Sequence, residues 1–274
     1  MKRLLAAVNP AMPREAALAR ACRLAAEHGA HLHLLGVIAR DGTTRDHAAA
    51  LQRLRMTLHR SAMPDQTDAQ CDILEGDPPT AIAQTAHDIG ADLIVLGAHR
   101  HPRLSDRVFG TTAEALLRDT HIPLLIARGL ADRPYRRAIA AAQSDSSITT
   151  AIALASMIGI EMLTAVHAYE LPFEAQVIGG SVTTAIMAEE AQAFAERVKR
   201  LAAETTADLR VDALSIEDEV VFALEEGGRA TRADLLILTT HARSGLAWLT
   251  RGSVTDAAIE RLPGDMLIGR LSRH

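Results

Sequence analysis

The chain has 274 residues, of which 48% are hydrophobic, 23% charged and 3% aromatic, and its formal net charge is −5. This length predicts two domains of about 100 to 150 residues each. The acidic balance excludes the basic field that drives nonspecific binding to nucleic acid. No segment reaches the roughly 18 consecutive apolar residues of a membrane span, and the first residues lack a signal-peptide pattern. We therefore expect a cytoplasmic protein with neither a membrane nor a nucleic acid as a partner.

The first half of the chain alternates short apolar runs with helical patterns. A run that is apolar almost throughout predicts a strand that is covered on both faces. Prolines open and glycines close several of the helical stretches, which is typical of helix ends. Strands are therefore predicted at residues 3–8, 31–38, 70–74, 92–97 and 122–127, and helices at residues 13–29, 46–61, 78–90 and from residue 111 onward.

The second half repeats this order of strands and helices. In one of its helices Phe194, Val198 and Leu201 recur at helical spacing, which predicts a buried stripe that packs on the core or on another domain. Strands are predicted at residues 138–142, 162–168, 209–215, 234–239 and 265–269, and helices end at residue 159, cover residues 184–204, lie before the fourth strand and begin at residue 253.

The two halves are copies of one unit. ADLIVLGAHR at residues 91–100 matches ADLLILTTHA at residues 233–242, and the same offset between the copies continues without a gap to the last predicted strand. RLLAAVNP at residues 3–10 likewise resembles RAIAAAQS at residues 137–144. A repeat of this size indicates that each copy is one structural unit.

Each copy is predicted to be an α/β domain. Apolar strands that alternate with helices indicate a parallel sheet covered by helices on both faces. The chain is therefore predicted to contain two tandem, doubly wound domains, each with a five-stranded parallel sheet. We place domain 1 at residues 1–131 and domain 2 at residues 136–274, joined by a short linker.

The loop at residues 97–112 has features of a phosphate site. Open parallel sheets bind ligands beyond the carboxyl ends of their strands where the strand order reverses, here between strands one and four. Asn9 follows strand one, and Gly97 leaves room for a ligand because it has no Cβ. Thr111 and Glu114 form a capping box, and free amides at such a helix start favour phosphate. The same cap also suits a helix without any ligand, so the residues alone leave both interpretations open.

These residues resemble the nucleotide signature of the universal stress protein family. That signature is a glycine, two residues, a glycine, nine residues, and a glycine followed by serine or threonine. It maps to Gly97, Arg100, Gly110 and Thr111, so three of its four positions match. The stretch EGDPPTAI and the ending IPLLIAR are shared as well, and the resemblance covers both copies.

The resemblance implies a Rossmann-like fold of the adenine nucleotide alpha hydrolase type that binds ATP or another adenine nucleotide. It also implies that the two copies pack as an intramolecular pseudo-dimer and that such chains pair again as homodimers. Within the site, Asn9 would meet the base or the ribose and Gly97 would give room to the ligand. The implied nucleotide-binding residues are Asn9, Gly97, His99, Arg100, Gly110, Thr111 and Thr112.

Two positions of the first copy depart from the family's pattern. Asn9 stands where ATP-binding members usually carry an aspartate, so a hydrogen-bond acceptor is kept and a charge is lost. Arg100 replaces the second glycine. If the backbone there needs a positive φ, arginine costs about 1 kcal/mol or more; otherwise its guanidinium can pair with a phosphate.

The second copy departs further and is predicted to be a degenerate site. Gln143 replaces the aspartate, Thr239 the first glycine and Ala242 the second, while Gly252 and Ser253 remain. A β-branched threonine resists the close approach that glycine allows. We expect the second copy to have lost triphosphate binding.

Two His-x-His pairs, His31 with His33 and His99 with His101, are the candidate metal ligands. In a strand this spacing puts both side chains on one face. No Cys, Asp or Glu cluster at ligand spacing completes either pair, so we expect no metal. The two cysteines form no CxxC motif and are predicted to be buried small hydrophobes.

The sequence leaves two functions open. One is a non-catalytic stress-response module that binds an adenine nucleotide in the N-terminal domain, since no sequence motif of a catalytic nucleophile or base is present. The alternative is a nucleotide-free scaffold that binds a protein partner whose identity the sequence does not give. The apolar, glycine-containing segment at residues 177–187 could serve as a mobile lid, a contact surface or a loop that leads into a helix.

Overall fold

The computed structural model of the chain describes residues 1–10, 16–38, 44–60, 68–98, 111–129, 131–169, 181–205, 208–240 and 264–271. It divides into two compact units. Unit 1 contains Met1–Pro134 and Gly264–Arg270, and unit 2 contains Tyr135–Pro263 and Leu271–His274. The division after residue 134 falls at the predicted linker.

Unit 1 begins with alternating strands and helices. Their bounds lie close to those predicted from apolar runs and helix ends. Its elements are β1 (Arg3–Val8), α1 (Ala16–His28), β2 (His31–Ile38), α2 (Thr44–Arg60), β3 (Ala69–Glu75), α3 (Pro78–Asp88), β4 (Leu93–Gly97), α4 (Thr111–Asp119), β5 (Leu124–Ala127) and, from the end of the chain, β10 (Asp265–Arg270).

Unit 2 follows the same alternation. The helix predicted from residue 253 lies outside the described residues. The elements that are described are β6 (Arg137–Ala141), α5 (Asp145–Met157), β7 (Met162–Tyr169), α6 (Ser181–Ala203), β8 (Arg210–Glu217), α7 (Val220–Thr231) and β9 (Leu235–Thr240).

The sheets confirm the predicted α/β class. In unit 1 the strand order is β3-β2-β1-β4-β5-β10, and in unit 2 it is β9-β6-β7-β8. The pairs β1–β2, β1–β4, β2–β3 and β4–β5 are parallel, as are β6–β7, β6–β9 and β7–β8. These strands are covered by helices, and nine of the residues in β1, β2 and β4 have no exposed surface: Leu4, Leu5, Ala6, Leu32, Leu34, Leu35, Leu93, Ile94 and Val95.

The last strand that the repeat predicts, at residues 265–269, is confirmed as β10. The structure groups β10 with unit 1, where it pairs antiparallel to β5. Asp265, the first residue of β10, is 2% exposed. Its carboxylate accepts hydrogen bonds from the amides of Arg128 and Gly129 at 2.7 and 2.9 Å and from Arg20 Nε at 3.1 Å. All three donors belong to unit 1.

An aspartate before the fourth strand of each copy anchors the start of that copy. The carboxylate of Asp92 accepts hydrogen bonds from the amides of Lys2 and Arg3 at 2.5 and 2.9 Å. In unit 2 Asp234 accepts hydrogen bonds from the residue before β6 and from its first residue, at 3.0 and 3.2 Å. Partial burial opposes the charge of Asp92, but the two amides together with the positive charges of the N-terminus and Arg3 outweigh it and lower the pKa of this carboxyl. The repeat therefore extends to the hydrogen bonds that align neighbouring strands.

The helices bury the faces that their periodicity predicts. In α1, Ala17, Ala21, Leu24 and Ala25 have no exposed surface, and small side chains here allow close packing on the sheet. No helix in the described parts of the chain is long and apolar enough to cross a membrane.

Candidate functional site

The carboxyl ends of β1 and β4 lie side by side in unit 1. Ala7 of β1 is opposite Leu96 of β4 in the parallel register. Asn9 follows β1 directly, and Gly97 is the last residue of β4. Because β1 pairs with β2 on its other side, the strand order reverses at β1. The reversal of strand order predicted between strands one and four is thereby confirmed.

Two residues that the sequence analysis did not identify, Gly36 and Arg53, contact the turn after β1. Pro10 is buried, and a Cβ added to Gly36 would lie 3.4 Å from its ring and 2.5 Å from Ile73 Cδ1. Arg53 of α2 donates from Nε to the carbonyl of Pro10 at 3.2 Å. These contacts position the half-buried Asn9 beside them. A glycine inside an apolar strand is a recognisable sign of close backbone approach, so Gly36 could have been found, whereas Arg53 carries no such sign.

The helix that follows the 97–112 loop begins where the capping pattern predicts. α4 starts at Thr111, and Glu114 lies in its first turn. Thr112 is half-buried, and the strand before the loop ends with the amide of Ala98 donating to Ala127 at 3.0 Å. His99, Arg100, Gly110 and the side chain of Thr111 lie outside the described residues.

In the second copy, the side chains of Ser144 and Ser147 stabilise the corresponding turn, which follows β6. Gln143, at the position of Asn9, is exposed. Its amide donates to Ser147 Oγ at 3.0 Å, and the amide of Ser147 donates to Ser144 Oγ at 3.2 Å. This capping box satisfies backbone donors at the start of α5. The turn after β6 is therefore stabilised by hydrogen bonds to its own side chains.

The end of β9 also differs from the end of β4. Thr239 stands at the position of Gly97, yet β9 continues through it to Thr240, which is 4% exposed. β9 therefore extends one residue further than β4, which ends at Gly97. Ala242, Gly252 and Ser253 lie outside the described residues.

The helix α6 contains the predicted apolar stripe. Phe194, Val198 and Leu201 are 6%, 1% and 6% exposed, which confirms that the stripe is buried. The ring of Phe194 lies 5.1 Å from that of His167, which is near the end of β7. Residues 181–187 form the first turns of α6, in agreement with a segment that leads into a helix, and residues 177–180 lie outside the described residues.

His31 and His33 each lie beside a carboxylate, on the side of the sheet where β2 begins. His31 Nδ1 lies 2.8 Å from Asp68 Oδ2, and His33 Nε2 lies 3.0 Å from Asp72 Oδ2. The two histidines and Asp68 lie at or near the amino ends of β2 and β3, and Asp72 lies in the middle of β3, away from the strand ends beside Asn9. Among the described residues, no group of three or more His, Cys, Asp or Glu side chains could hold a metal ion. His99 and His101 are outside the described part of the chain.

We expect His33 to make unit 1 less stable in acid. Burial lowers the pKa of His33, against the attraction of Asp72. The unfolded chain takes up this proton near pH 6.5, so the stability due to neutral His33 is present above that pH and is lost as pH falls toward the lower folded pKa. In urea unfolding at pH 7.5 and pH 5.0, His33→Gln should show a smaller difference between the two pH values than the unmodified chain. An equal difference in both proteins would show that His33 does not cause the acid sensitivity.

Comparison with known proteins agrees with this geometry. Residues 1–128 match the family model described as the universal stress protein family. Residues 1–128 therefore belong to the universal stress protein family. This universal stress protein domain contains both strand ends of the crevice, at Asn9 and Gly97, and the start of α4.

Relatives of this universal stress protein domain include the stress response protein NhaX of Bacillus subtilis (strain 168). It is 43% identical over 63 residues, which are 23% of this chain and 38% of that protein. The match thus spans well under half the length of this curated relative.

Solved structures extend the likeness in fold over nearly the whole chain. A universal stress protein from Archaeoglobus fulgidus DSM 4304 is 14% identical, with a TM-score of 0.63 and 98% of each chain covered. A protein of unknown function from Pseudomonas aeruginosa PAO1 is 20% identical, with a TM-score of 0.63, covering 99% of this chain and 93% of that chain. At these identities the likeness concerns the fold alone.

Proposed function

We propose that the chain is a tandem universal stress protein that acts as a non-catalytic stress-response module and binds an adenine nucleotide in unit 1. The observation that carries this proposal is the strand reversal at β1, which brings the turn at Asn9 beside the end of β4 at Gly97. Ligands of open α/β sheets bind at such a reversal.

The phosphate end of the ligand is assigned to the start of α4. Amides at a helix start and the positive end of its dipole favour an anion, and α4 begins at Thr111 with Thr112 next to it. In this proposal Gly110, Thr111 and Thr112 hold phosphate, while His99 and Arg100 line the same loop. Support for the loop residues comes from the family signature and from their position in the sequence.

The base or ribose end is assigned to Asn9. Its carboxamide keeps a hydrogen-bond acceptor and adds a donor, so it suits a neutral partner such as a ribose hydroxyl or a ring nitrogen. The contacts of Pro10 with Gly36 and Arg53 support this role, because a positioned turn loses less conformational freedom when a ligand binds.

Unit 2 is proposed to be a degenerate site. The capping box that involves Ser144 and Ser147 and the β-branched Thr239 within β9 both support the loss of nucleotide binding there. Gly252 and Ser253 keep only the last part of the signature.

The chemistry of the described side chains supports a non-catalytic role. Burial raises the pKa of the Cys71 thiol to about 11, so the thiol is protonated at neutral pH and is a poor nucleophile. Cys22 is buried as well, which confirms the prediction for both cysteines. Buried free thiols are also typical of a reducing compartment, which supports the proposed cytoplasmic location.

The alternative is a nucleotide-free scaffold for a protein partner. It is favoured by Asn9, which lacks the aspartate charge, and by Thr239 in the second copy. The two functions make opposite predictions for nucleotide binding and are separated by one experiment.

We expect ATP, ADP or AMP to raise the unfolding temperature of the purified chain. A ligand at 100 times its dissociation constant adds about 2.7 kcal/mol to the free energy of unfolding. The measurement is a thermal unfolding curve at increasing concentrations of each nucleotide, with inorganic phosphate at the same ionic strength as the control. Nucleotide released from the protein as purified should be assayed by chromatography after denaturation. No shift with any of the three nucleotides, together with no released nucleotide, would favour the scaffold.

A further inference from the structure

The outer side of β8 is an open edge of the sheet in unit 2. Among the strands that the structure describes, β8 is the last in this unit and pairs with β7 alone. The amides of Arg210 and Asp218 donate toward β7, to the carbonyls of Glu161 and Tyr169 at 3.0 and 3.1 Å. Because alternate residues of a strand bond to opposite sides, the backbone groups that point away from β7 are those of residues 211, 213, 215 and 217. Such groups are a template for another strand.

β8 lacks the features that usually protect an edge strand. Edge strands are commonly short, or they contain a proline, a bulge or a charge that points inward. β8 has eight residues, RVDALSIE, and no proline. Residues 211–216 are half-buried, and the charge of Asp212 is paired with Arg210 of the same strand at 3.2 Å. The edge therefore presents a largely apolar centre between charged ends.

A second copy of β8 fits this edge in one register. Two identical strands pair antiparallel about a two-fold axis, so one residue lies on the axis opposite its own copy. With Leu214 on the axis, Arg210 of each copy opposes Asp218 of the other. An axis at Asp212 would oppose that carboxylate to itself, and an axis at Ser215 would oppose Asp212 to Asp218. Like charges directly opposite are destabilising, so the sequence favours the axis at Leu214.

The same register also satisfies the backbone of the edge. It opposes residue 211 to residue 217 and residue 213 to residue 215, which are the residues whose backbone groups point outward. Opposed residues of this kind exchange both of their hydrogen bonds, and the pairs occur on either side of the axis. Leu214 then lies at a non-hydrogen-bonded position, where the two Cα atoms are about 4.5 Å apart.

The corresponding edge of unit 1 does not fit a second copy in this way. The registers of β2 with β3 and of β7 with β8 put Asp72 at the position of Leu214 and Asp68 at that of Arg210. Self-pairing of β3 would therefore oppose two Asp72 carboxylates on the axis. It would also oppose Asp68 to Gly76, which offers no positive charge. Of the two repeat-equivalent edges, β8 alone is complementary to itself.

We propose that β8 is a homodimerisation edge, at which β8 of a second copy pairs antiparallel about Leu214 while Arg210 and Asp218 fix the register. Arg210 is 67% exposed and Asp218 is exposed, so both can reach a second chain. The carboxylate of Asp218 also accepts the amide of Glu219 at 2.7 Å, which holds it at the end of β8. Complementary charges of this kind fix register and exclude wrong partners.

Disulfide trapping in the full-length chain tests the register. In a background with Cys22→Ala and Cys71→Ala, Leu214→Cys places two thiols on the axis, at a Cα separation within disulfide range. We expect a covalent dimer on a non-reducing gel after mild oxidation. Ile216→Cys is the matched control, because it lies on the same face but about 13 Å from its own copy. Its yield of dimer should be at least about tenfold lower.

Reversal of charge tests the two ion pairs. In the Leu214→Cys chain, Arg210→Glu opposes two carboxylates at each end of the interface and should slow cross-linking about tenfold or more, since like charges across an interface are strongly unfavourable. Adding Asp218→Arg exchanges the two charges and should restore the rate. A merely structural effect of Arg210→Glu would not be reversed by a second substitution at residue 218.

Light scattering of the chain without engineered cysteines tests the edge independently. The unmodified chain should form dimers whose fraction rises with concentration. Ala213→Pro removes an amide that points away from β7, and proline is tolerated at such positions of edge strands, so this variant should fold and remain monomeric.

Three results would overturn the proposal. They are equal dimer yields from Leu214→Cys and Ile216→Cys, a dimer that persists unchanged in Ala213→Pro, and an unmodified chain that stays monomeric at every concentration. Circular dichroism of each variant before the measurement checks its folding. If Leu214→Cys does not fold, the comparison of Ala213→Pro with the unmodified chain decides. The edge contains none of the residues proposed to bind nucleotide, so this outcome is separate from that of the nucleotide experiments.

Discussion

Asp265→Ala is expected to lower the free energy of unfolding of unit 1 by about 3–5 kcal/mol, the range for removing one partner of a buried ion pair. The reason is that Arg20 keeps its charge in a site with 6% side-chain exposure, while the amides of Arg128 and Gly129 lose their acceptor. Urea unfolding followed by circular dichroism, with tryptic cleavage after residue 270 as a local probe, measures the loss.

The control for this loss is Glu225→Gln in unit 2. Glu225 pairs with Arg229 at 2.8 Å, but Arg229 is 73% exposed, and such a surface pair within a helix is worth about 0.3–0.5 kcal/mol. If Asp265→Ala and Glu225→Gln lowered the free energy of unfolding by similar amounts, the buried Asp265 pair would stabilise the protein no more than a surface pair does. A second variant, Arg20→Met with Asp265→Asn, removes both charges and should recover part of the stability, because no unpaired charge remains.

Gly97→Val is expected to weaken adenine-nucleotide binding about 100-fold, equivalent to about 2.7 kcal/mol. Gly97 ends β4 beside the turn that carries Asn9, and a β-branched side chain there would occupy the space into which the ligand must fit. Isothermal titration with the nucleotide that gives the largest thermal shift measures the change.

Thr239→Val is the matched control for Gly97→Val. It introduces the same side chain at the repeat-equivalent position of unit 2, where β9 already continues through a β-branched residue. Affinity should stay the same in this variant. Loss of binding in Thr239→Val but not in Gly97→Val would move the site from unit 1 to unit 2.

The crevice of the candidate site could be predicted because it depends on strand order. A parallel sheet built from a repeating strand-helix pattern reverses its order at the first strand, so Asn9 and Gly97 could be placed together from the sequence. The contributions of Gly36 and Arg53 could not be predicted in the same way. They depend on where α2 and β2 lie against Pro10, and periodicity does not give the distance between elements.

The sequence by itself determined which segments form strands and helices, that the chain is duplicated, and where α4 begins. These features follow from local periodicity, capping residues and the constant offset between the two copies. Only the tertiary structure decided that β10 belongs to unit 1 and runs antiparallel to β5. Arg20 and Asp265, which are 245 residues apart in the chain, form an ion pair at the start of β10. Periodicity gives neither this contact nor the edge with which an apolar strand pairs.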